Sequence, residues 1–453
     1  METSHPALPR MHLSIGEKIG YGLGDTASNL VWRTLIFFLP IFYTDVFGLS
    51  AAAVGTLMLV CRIGDGVTDF FMGVIADRTN TRWGKFRPWI LWTAAPFGIM
   101  TVLTFTTPDL DYTGKLIYAY VTYSLLILVY TANNIPYSAL TGVITPDPTE
   151  RTSVSAYRFV FAFLGGLITQ GLNIYLVEFF GQGDQIKGYK WTMGLFAVVS
   201  VILFLITFAS TKERVKAPPA TERSSIKRDA LDLLENKPWL ILFCVGVLFV
   251  TFTTFRGGAT LYYFKYYINN TGIAAAFMVV GLLASMLGAA ITGPLTARWG
   301  KRTVMNACIL IGIVSSAWLF MIGPSGLTMI FVLSAIAEFS TGPIVALFFA
   351  MLADAADYSE WRTHRRATAL VFSAGTLSMK FGSAVAASIS GWMLAWFGYV
   401  ANIEQTGGAL LGIRLLFSLI PAGVGVLLFV VFQFYKLDES RMSRIEVDLR
   451  TRR

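Results

Sequence analysis

The sequence predicts an all-α membrane protein with twelve transmembrane helices arranged as two six-helix halves. Its 453 residues are 55% hydrophobic and only 14% charged, a composition that is typical of membrane proteins and unusual for a soluble domain. Apolar runs recur along the whole chain, and each approaches the roughly 20 residues that an α-helix needs to cross a bilayer. Polar connections separate these runs, so we expect a polytopic protein embedded in a lipid bilayer.

Twelve apolar runs predict the transmembrane helices. In chain order they are Tyr21–Val46, Ala51–Ala76, Pro88–Thr107, Leu116–Ile135, Ser153–Phe180, Trp191–Ala209, Pro238–Ile268, Gly272–Ala297, Thr303–Ile322, Leu327–Leu352, Thr368–Phe397 and Leu411–Tyr435. Residues 1–20 contain no apolar core, so we expect a cytoplasmic N-terminal segment rather than a cleavable signal peptide.

Basic residues crowd alternate connections. They follow the second, eighth and tenth runs: Arg78, Arg82, Lys85 and Arg87, then Arg298, Lys301 and Arg302, then Arg362, Arg365 and Arg366. By the positive-inside rule these loops are cytoplasmic, and an even number of spans places both termini, including the tail 436–453, in the cytoplasm. Since the surplus of basic charge follows these loops, we expect no nucleic-acid partner.

A long polar segment divides the chain near its middle. Residues 210–237 carry two adjacent prolines and many charges, which predicts a cytoplasmic linker between a bundle at 21–209 and a bundle at 238–435. A weak internal repeat agrees with this division, because Arg82-Trp83-Gly84-Lys85 is echoed by Arg298-Trp299-Gly300-Lys301. Parallel six-helix repeats place a substrate cavity between the halves, near the bilayer midplane.

Three charged side chains share one face of the second span. Arg62, Asp65 and Asp69 recur at helical spacing within an apolar run. A charge at mid-bilayer costs roughly 2.5–3.5 kcal/mol, so these side chains must be paired, hydrated or bound to an ion. Two carboxylates one turn apart predict a cation site, for Na⁺ or a proton, and Lys380 of the eleventh span is a candidate partner that would compete with the cation. The alternative is a set of structural charges, Arg62 included, that only fix helix packing.

The first span carries polar and aromatic side chains on one face. Asp25, Asn29 and Arg33 recur every fourth residue, with Trp32 beside them. Charged and carboxamide groups next to an aromatic ring suit a sugar, because its hydroxyls need bidentate partners and its C–H faces stack on aromatic rings. Alternatively, Asp25 is an interfacial residue, and Arg33 pairs with it about two turns away.

The fourth and fifth spans add further polar groups. Asn133 and Asn134 precede Pro136, whose missing N–H frees a backbone carbonyl, and Thr131 contributes a hydroxyl. Such a break commonly lines a cavity, although a structural kink is the alternative. Arg158 begins a long apolar stretch of the fifth span and needs a partner from another helix.

Two charged loops are candidates for gating. The loop after the second span contains Asp77, Arg82 and Lys85, and the loop after the tenth span contains Asp354, Asp357 and Arg366. Salt bridges in such loops can hold one access state closed, because the two states differ little in free energy. The alternative is charge that serves membrane topology alone. The sequence has no GxxxxGK[ST] phosphate-binding loop, which favours an ion gradient over ATP as the energy source.

Short motifs in a fixed order along the chain carry a family resemblance. They are Glu17–Asp25, Phe42–Asp45, Gly48–Ser50, Arg82–Trp89, Asn134–Tyr137, Ala353–Glu360 and Lys380–Gly382. Each motif is weak alone, but the ordered set resembles the glycoside-pentoside-hexuronide:cation symporter family, to which melibiose permease belongs. The resemblance implies a twelve-helix major facilitator fold and uptake of a glycoside with Na⁺, Li⁺ or H⁺, without any other cofactor.

The resemblance also implies site residues. For the cation it implies Asp65, Asp69, Thr131 and Lys380, with Thr68 in place of a second-helix Asn; for the sugar it implies Asn29, Asn134 and Arg158. With the residues above, the predicted substrate site comprises Asp25, Asn29, Trp32, Arg33, Asn133, Asn134, Tyr137, Arg158 and Lys380. Ser138 replaces the aromatic residue that stacks on a galactosyl ring in melibiose permease, so galactoside specificity is not expected.

The function that the sequence favours is cation-coupled symport of a neutral glycoside, a pentoside or xyloside first, by a monomer. Two family carboxylates are carboxamides here while Arg33 and Arg158 add positive charge, so an acidic sugar such as a hexuronide is the alternative. A membrane sugar sensor that does not transport, and a membrane enzyme that acts on lipid-linked glycans, are more distant alternatives. We expect no enzyme activity.

Overall fold

A computed structural model of the protein describes residues 12–215, 233–363, 368–437 and 439–452. Fourteen α-helices of at least eleven residues occur in this part of the chain. In order they are α1 (Ile15–Phe37), α2 (Ala51–Arg78), α3 (Arg87–Thr104), α4 (Tyr112–Leu140), α5 (Pro148–Gly181), α6 (Gln185–Ser210), α7 (Lys237–Tyr262), α8 (Gly272–Trp299), α9 (Lys301–Leu319), α10 (Leu327–Thr363), α11 (Thr368–Trp396), α12 (Gly407–Phe417), α13 (Leu419–Gln433) and α14 (Glu439–Arg452). Arg366 and most of the predicted linker lie outside the described residues.

The helices lie on the apolar runs that the sequence singled out. Helices α1 to α11 each cover one run in order, and α12 with α13 covers the twelfth. Within the described residues, nine helical segments are long and apolar enough to cross a membrane. The all-α membrane architecture is therefore confirmed, and the helix order is consistent with twelve spans.

Helix starts follow local side-chain chemistry. Asp184, Asn236 and Thr406 each cap a helix by accepting a hydrogen bond from the backbone N–H three residues later, which satisfies a donor that has no intrahelical partner. Pro88 and Pro238 occupy the first turns of α3 and α7, where the missing N–H costs nothing.

The described helices form two compact units. The first draws its residues from Met1–Thr34, Val67–Asp109 and Ile117–Pro219. Its interior contains aromatic rings such as Phe97 and Phe204, which meet edge to face with centroids 5.3 Å apart, and α6 packs against both α3 and α5.

The second unit draws its residues from Leu35–Gly66, Leu110–Leu116 and Ala220–Arg453. Here α10 packs against α8 and α9, and α7 packs against α11 and α13 around a core of buried aliphatic and aromatic side chains such as Leu242 and Phe348. The unit also contains the end of α1 and the beginning of α2, so part of the predicted N-terminal half packs with helices from beyond the linker.

Two π-helical turns repeat one backbone pattern. Phe42–Val46 follows α1, and Tyr263–Tyr267 follows α7. In each, the residue just after the turn donates its N–H to the backbone carbonyl of the first residue of the turn. A 28-residue helix, α2 or α8, begins five residues after the last residue of the turn. A left-handed residue, Gly48 (φ 89°) or Asn269 (φ 56°), ends both turns, since glycine and asparagine tolerate this conformation. The internal repeat thus extends to segments whose side chains differ almost throughout.

Candidate transport site

Asp25 of α1 lies at the centre of a polar cluster in the first unit. Its carboxylate accepts two hydrogen bonds from Arg158 of α5, at 2.7 Å from Nε and 3.2 Å from Nη2. The hydroxyl of Tyr137 on α4 donates a third at 2.8 Å. This fork is the strong geometry of an arginine–carboxylate pair, and it gives Arg158 the partner from another helix that the sequence required.

Two further residues hold this cluster in place. The hydroxyl of Tyr21 donates to the backbone carbonyl of Tyr137 at 2.6 Å, and Arg158 Nη1 donates to Thr141 Oγ1 at 3.1 Å. The guanidinium of Arg158 also lies 4.7 Å from the ring centroid of Tyr137, within cation–π range. Because Asp25 neutralises Arg158, this guanidinium adds no uncompensated charge to the unit.

An aromatic stack lies two turns along α1 from Asp25. The indole of Trp32 stacks on Tyr130 of α4, with centroids 4.7 Å apart and ring planes 23° apart. Between these features, Asn29 donates its side-chain amide to the backbone oxygen of Asp25 at 2.9 Å. The sequence analysis missed Tyr130, although an aromatic residue directly before Thr131 was a usable signal.

Asn133 and Asn134 are placed differently. Asn133 is 1% exposed and donates to Thr93 Oγ1 of α3 at 2.8 Å, a contact that ties α3 to α4. Asn134 is half-buried on the neighbouring face of α4. Asn133 therefore has a packing role whatever else it does, whereas Asn134 remains accessible to a ligand.

The two carboxylates of α2 have partners on different helices. In the first unit, Asp69 accepts a hydrogen bond at 3.0 Å from the hydroxyl of Thr131 on α4. Thr68 and Asp69 are both half-buried, whereas Thr131 is 1% exposed. In the second unit, Lys380 Nζ of α11 lies 3.1 Å from Asp65 Oδ2, and the Asp65 side chain is fully buried.

A close crossing of α2 and α11 positions Lys380 opposite Asp65. A Cβ atom on Gly391 would lie 2.5 Å from the backbone oxygen of Ala51 and 2.6 Å from the Cα of Gly55. The two backbones therefore touch, which a larger residue at either glycine would prevent. The Asp65–Lys380 pair lies ten residues further along α2 from Gly55 and eleven residues before Gly391 on α11, so the two helices are antiparallel.

A cavity in the second unit lies between this crossing and the buried charges. Arg62, which is 6% exposed, lines it together with Met58 of α2, Thr254 and Tyr262 of α7 and Ser383 of α11. Thr44, Ser390 and two glycines also line it, and the remaining lining is aliphatic. Arg62 is thus held inside the protein, one turn from Asp65, rather than at a membrane surface.

The charged loops contain a carboxylate that the sequence analysis did not single out. Glu213, which follows α6, accepts hydrogen bonds from the backbone N–H groups of Lys85, Phe86 and Arg87 at 2.7 to 2.9 Å. A Cβ on Gly84 would lie 2.4 Å from this carboxylate, so the glycine is required for the contact. Glu213 therefore caps the N-terminus of α3 through its backbone rather than through the Lys85 side chain.

The sequence placed Asp77, Asp354 and Asp357 in loops, but the helices continue past the apolar runs, so that Asp77 lies in the last turn of α2 and Asp354 and Asp357 lie within α10. Lys301 pairs with Asp354 at 2.7 Å, and the guanidinium of Arg82 lies 4.5 Å from the Trp83 ring centroid. Asp77 is exposed and Asp357 is half-buried, and Arg366 lies outside the described residues.

Ion pairs also surround the predicted cytoplasmic end of α1. Arg214 forms a bidentate pair with Glu17, at 2.6 and 2.8 Å, and these hydrogen bonds raise the pKa of Arg214. Lys18 lies 2.8 Å from Glu150, and its hydrogen bond lowers the pKa of that carboxyl group. These pairs tie α1 to α5 and to the segment after α6.

One family of transport proteins matches nearly the whole chain. A family model described as MFS/sugar transport protein matches residues 20–439. The chain belongs to this family. This match confirms the resemblance found in the sequence. The family is one of major facilitator transporters, which are multi-pass membrane proteins and not enzymes.

Similar proteins agree over nearly the whole length. The chain is 40% identical over 440 residues to the putative glycoside/cation symporter YagG of Escherichia coli, covering 96% of this chain and 95% of that protein. It is 37% identical over 429 residues to the isoprimeverose transporter of Lactiplantibacillus pentosus, covering 93% and 89%. The crystal structure of the nucleoside transporter NupG matches with a TM-score of 0.62 at 15% identity, covering 92% of this chain and 98% of that one, which shows the shared fold.

Proposed function

We propose that this MFS family member takes up a neutral glycoside, a xyloside first, together with Na⁺ or H⁺ by alternating access. The observation that carries the proposal is the Asp65–Lys380 pair, a buried carboxylate whose charge a lysine of another helix balances at 3.1 Å. A buried carboxylate needs a positive partner, and a cation or a proton can take that place. The pair therefore offers two exchangeable states, with and without the coupling ion.

The cation is proposed to bind at the acidic side chains of α2. Asp65 and Asp69 lie four residues apart on this helix with Thr68 between them, and carboxylate and hydroxyl oxygens are suitable ligands for Na⁺. Thr131 already donates to Asp69 at 3.0 Å, and rotation of its hydroxyl would present an oxygen to the ion instead. Lys380 would move away from Asp65 when the ion arrives. No cofactor other than this ion is proposed.

The sugar is proposed to bind on the face of α1 that carries Asp25, Asn29 and Trp32. The Asp25–Arg158 fork offers paired acceptors and donors for hydroxyl groups, and the Trp32–Tyr130 stack offers a flat surface for the C–H face of a sugar ring. A neutral substrate is favoured over a hexuronide because Asp25 already balances the charge of Arg158. Isoprimeverose, which the 37% identical relative carries according to its name, contains xylose and is the first substrate to test.

The proposed setting is a bacterial cytoplasmic membrane, with both termini in the cytoplasm and the monomer as the working unit. The basic loops after α2, α8 and α10 support this orientation through the positive-inside rule. The relative named a glycoside/cation symporter supports the coupling of sugar to a cation.

Uptake by proteoliposomes tests the proposal. We expect labelled xylosides to accumulate when an inward Na⁺ or proton gradient is imposed, and we expect Asp65→Asn to abolish accumulation while leaving sugar binding measurable. Asp109→Asn, which removes an exposed carboxylate from the loop between α3 and α4, serves as the control. Binding without counterflow would instead identify a sensor, cleavage of the glycoside an enzyme, and accumulation of glucuronides alone a hexuronide carrier.

A further inference from the structure

Asp45 lies in the π-helical turn after α1 and is enclosed by donors from distant segments. Its side chain is 1% exposed, and its two carboxylate oxygens accept hydrogen bonds from the ammonium of Lys265 and the hydroxyls of Tyr266 and Tyr399. The carboxylate is thus balanced by one positive charge, and it also accepts a hydrogen bond at 2.6 Å from the hydroxyl of the adjacent Thr44, which makes four donors. We call these residues, with Asn402, the Asp45 cluster.

Asn402 joins the loop between α11 and α12 to the same cluster. Its side-chain amide donates to the backbone oxygen of Asp45 at 2.5 Å, its side-chain oxygen accepts from Lys265 at 2.8 Å, and its N–H donates to the hydroxyl of Tyr266 at 2.9 Å. The residue adopts a left-handed conformation with φ 59°, which asparagine tolerates better than most side chains. Every polar group of Asn402 that faces the cluster is therefore used.

The Asp45 cluster joins segments from opposite sides of the predicted linker. Asp45 lies before α2, whereas Lys265 and Tyr266 follow α7 and Tyr399 follows α11. The adjacent Thr44 adds a hydrogen bond of 2.9 Å to Tyr262. All of these segments lie at the helix ends that the positive-inside rule places outside the cell.

The same helices are in contact directly beneath the cluster. The backbones of α2 and α11 touch at Gly55 and Gly391, and Trp392 Nε1 donates to Thr56 Oγ1 at 3.1 Å. The cavity lined by Ser383 lies below this contact. The outer ends of α2 and α11 are therefore closed over the cavity in this conformation.

The chemistry of the cluster suits a contact that breaks and re-forms. Lys265 is 22% exposed and Asn402 is exposed, so water can replace their hydrogen bonds when the segments separate. Burial raises the pKa of Tyr399, which keeps its hydroxyl protonated as a donor. Arg256 provides a contrast, because it is 3% exposed, bonds to Ser316 and Ser334 within the helices after the linker, and is not reached by water in this way.

We propose that Asp45 is a positioning residue of the transport cycle, whose carboxylate holds the segments after α1, α7 and α11 together and so closes the outer entrance. The proposal rests on the proposed transport function. Opening toward the outside requires Lys265, Tyr266 and Tyr399 to leave the carboxylate. Loss of the carboxylate then favours the outward-open state. This effect does not require Asp45 to touch the substrate.

Cysteine accessibility tests the closure directly. Ser383→Cys is introduced after the three native cysteines, Cys61, Cys244 and Cys308, are replaced. A membrane-impermeant thiol reagent is then applied to right-side-out vesicles without sugar. We expect Asp45→Asn to raise the labelling rate of Ser383→Cys about tenfold, the change that corresponds to losing one charge-assisted hydrogen bond.

Two further variants keep the test decisive. Tyr399→Phe removes one donor without changing the ring, and we expect a smaller increase in labelling; Asp45→Glu retains an acceptor, and we expect labelling nearer to wild type. Asp109→Asn is the charge-matched control and should not change the rate. Equal labelling in Asp45→Asn, Tyr399→Phe and the control would overturn the proposal.

The outcome is separable from that of the transport assay, because labelling requires no sugar and no gradient. If Asp45→Asn raises the labelling rate while the wild-type protein accumulates no glycoside, the closure is supported and the proposed substrate is refuted. Normal accumulation with unchanged labelling would refute the role of Asp45 alone. In inverted vesicles the same reagent reaches the protein from the cytoplasmic side, and there Asp45→Asn should slow the labelling of Ser383→Cys, because fewer molecules are open to that side.

Discussion

Replacing Lys380 by glutamine tests the charge balance on which the proposed coupling depends. Lys380 Nζ lies 3.1 Å from Asp65 Oδ2, and at an effective dielectric constant near 20 two unit charges at that distance attract by about 5 kcal/mol before desolvation is counted. Removing one partner of a buried pair typically costs about 3–5 kcal/mol, because the other charge remains buried. This is a large share of the roughly 5–15 kcal/mol that stabilises a typical domain.

The variant should therefore become dependent on its coupling ion for stability. We expect Lys380→Gln to unfold at a lower temperature in detergent than the wild type, and to recover on addition of Na⁺, because a ligand present at 100 times its Kd stabilises by about 2.7 kcal/mol. If the ion is a proton, recovery should follow acidification instead. Fluorescence-detected unfolding over a NaCl titration at constant ionic strength measures the effect.

Two results would refute this reasoning. Lys187→Gln, which removes an exposed lysine at the start of α6, is the control and should match the wild type. If Lys380→Gln unfolds like this control without any added cation, the lysine does not balance Asp65 in solution. If it also accumulates glycoside normally, Lys380 has no part in coupling.

Three further predictions concern the neighbouring contacts. Arg158→Lys should weaken sugar binding about tenfold in a calorimetric titration, because lysine cannot form the two-donor fork to Asp25; unchanged affinity would remove this pair from the sugar site. Gly391→Val should destabilise the protein by about 1–3 kcal/mol, since its side chain would enter the backbone of α2 near Gly55, and an unaltered unfolding temperature would contradict the close crossing. Glu213→Gln should lower the free energy of unfolding by about 0.3–1 kcal/mol, because it removes a negative charge at the N-terminus of α3. Thermal unfolding measures the change, with Asp77→Asn as the control at an exposed site. Equal stability of the two variants would show that Glu213 does not stabilise α3 as a cap.

The sequence could predict the helices and the charges that they bury. Apolar run length fixes where a helix can cross a bilayer, and the cost of burying charge singles out Asp65 and Asp69 without any structure. For that reason the structure has helices on all twelve runs, in the same order. The same argument required partners for Lys380 and Arg158, because neither has an acidic residue within one turn of its own helix.

The partners themselves depend on tertiary packing. Asp25 accepts from Arg158, which lies 133 residues away, although Arg33 shares its helix face and was the local alternative. Glu213 follows α6 in a charged segment, and nothing in the local pattern indicates that it caps α3. The π-helical turns repeat a backbone shape with different side chains, so a search for repeated residues finds the basic loops but misses the turns.

Asp45 shows the same limit from another direction. In the sequence it is a single charge at the end of an apolar run, which is the usual place for an interfacial residue. Its four distant partners come from two separate segments more than 200 residues away, Lys265 and Tyr266 after α7 and Tyr399 and Asn402 after α11. Only the packing of those segments shows that the carboxylate is enclosed.

The affinity for sugar with and without the coupling ion tests the central claim most directly. If the ion displaces Lys380 from Asp65 and thereby completes the sugar site, binding of the two ligands is linked, and each must tighten the other by the same factor. Calorimetric titration of the purified protein with a xyloside, at saturating and zero Na⁺ and again at two pH values, should show at least about a fivefold difference in Kd for one of the two ions. Equal affinity under all of these conditions would contradict the account.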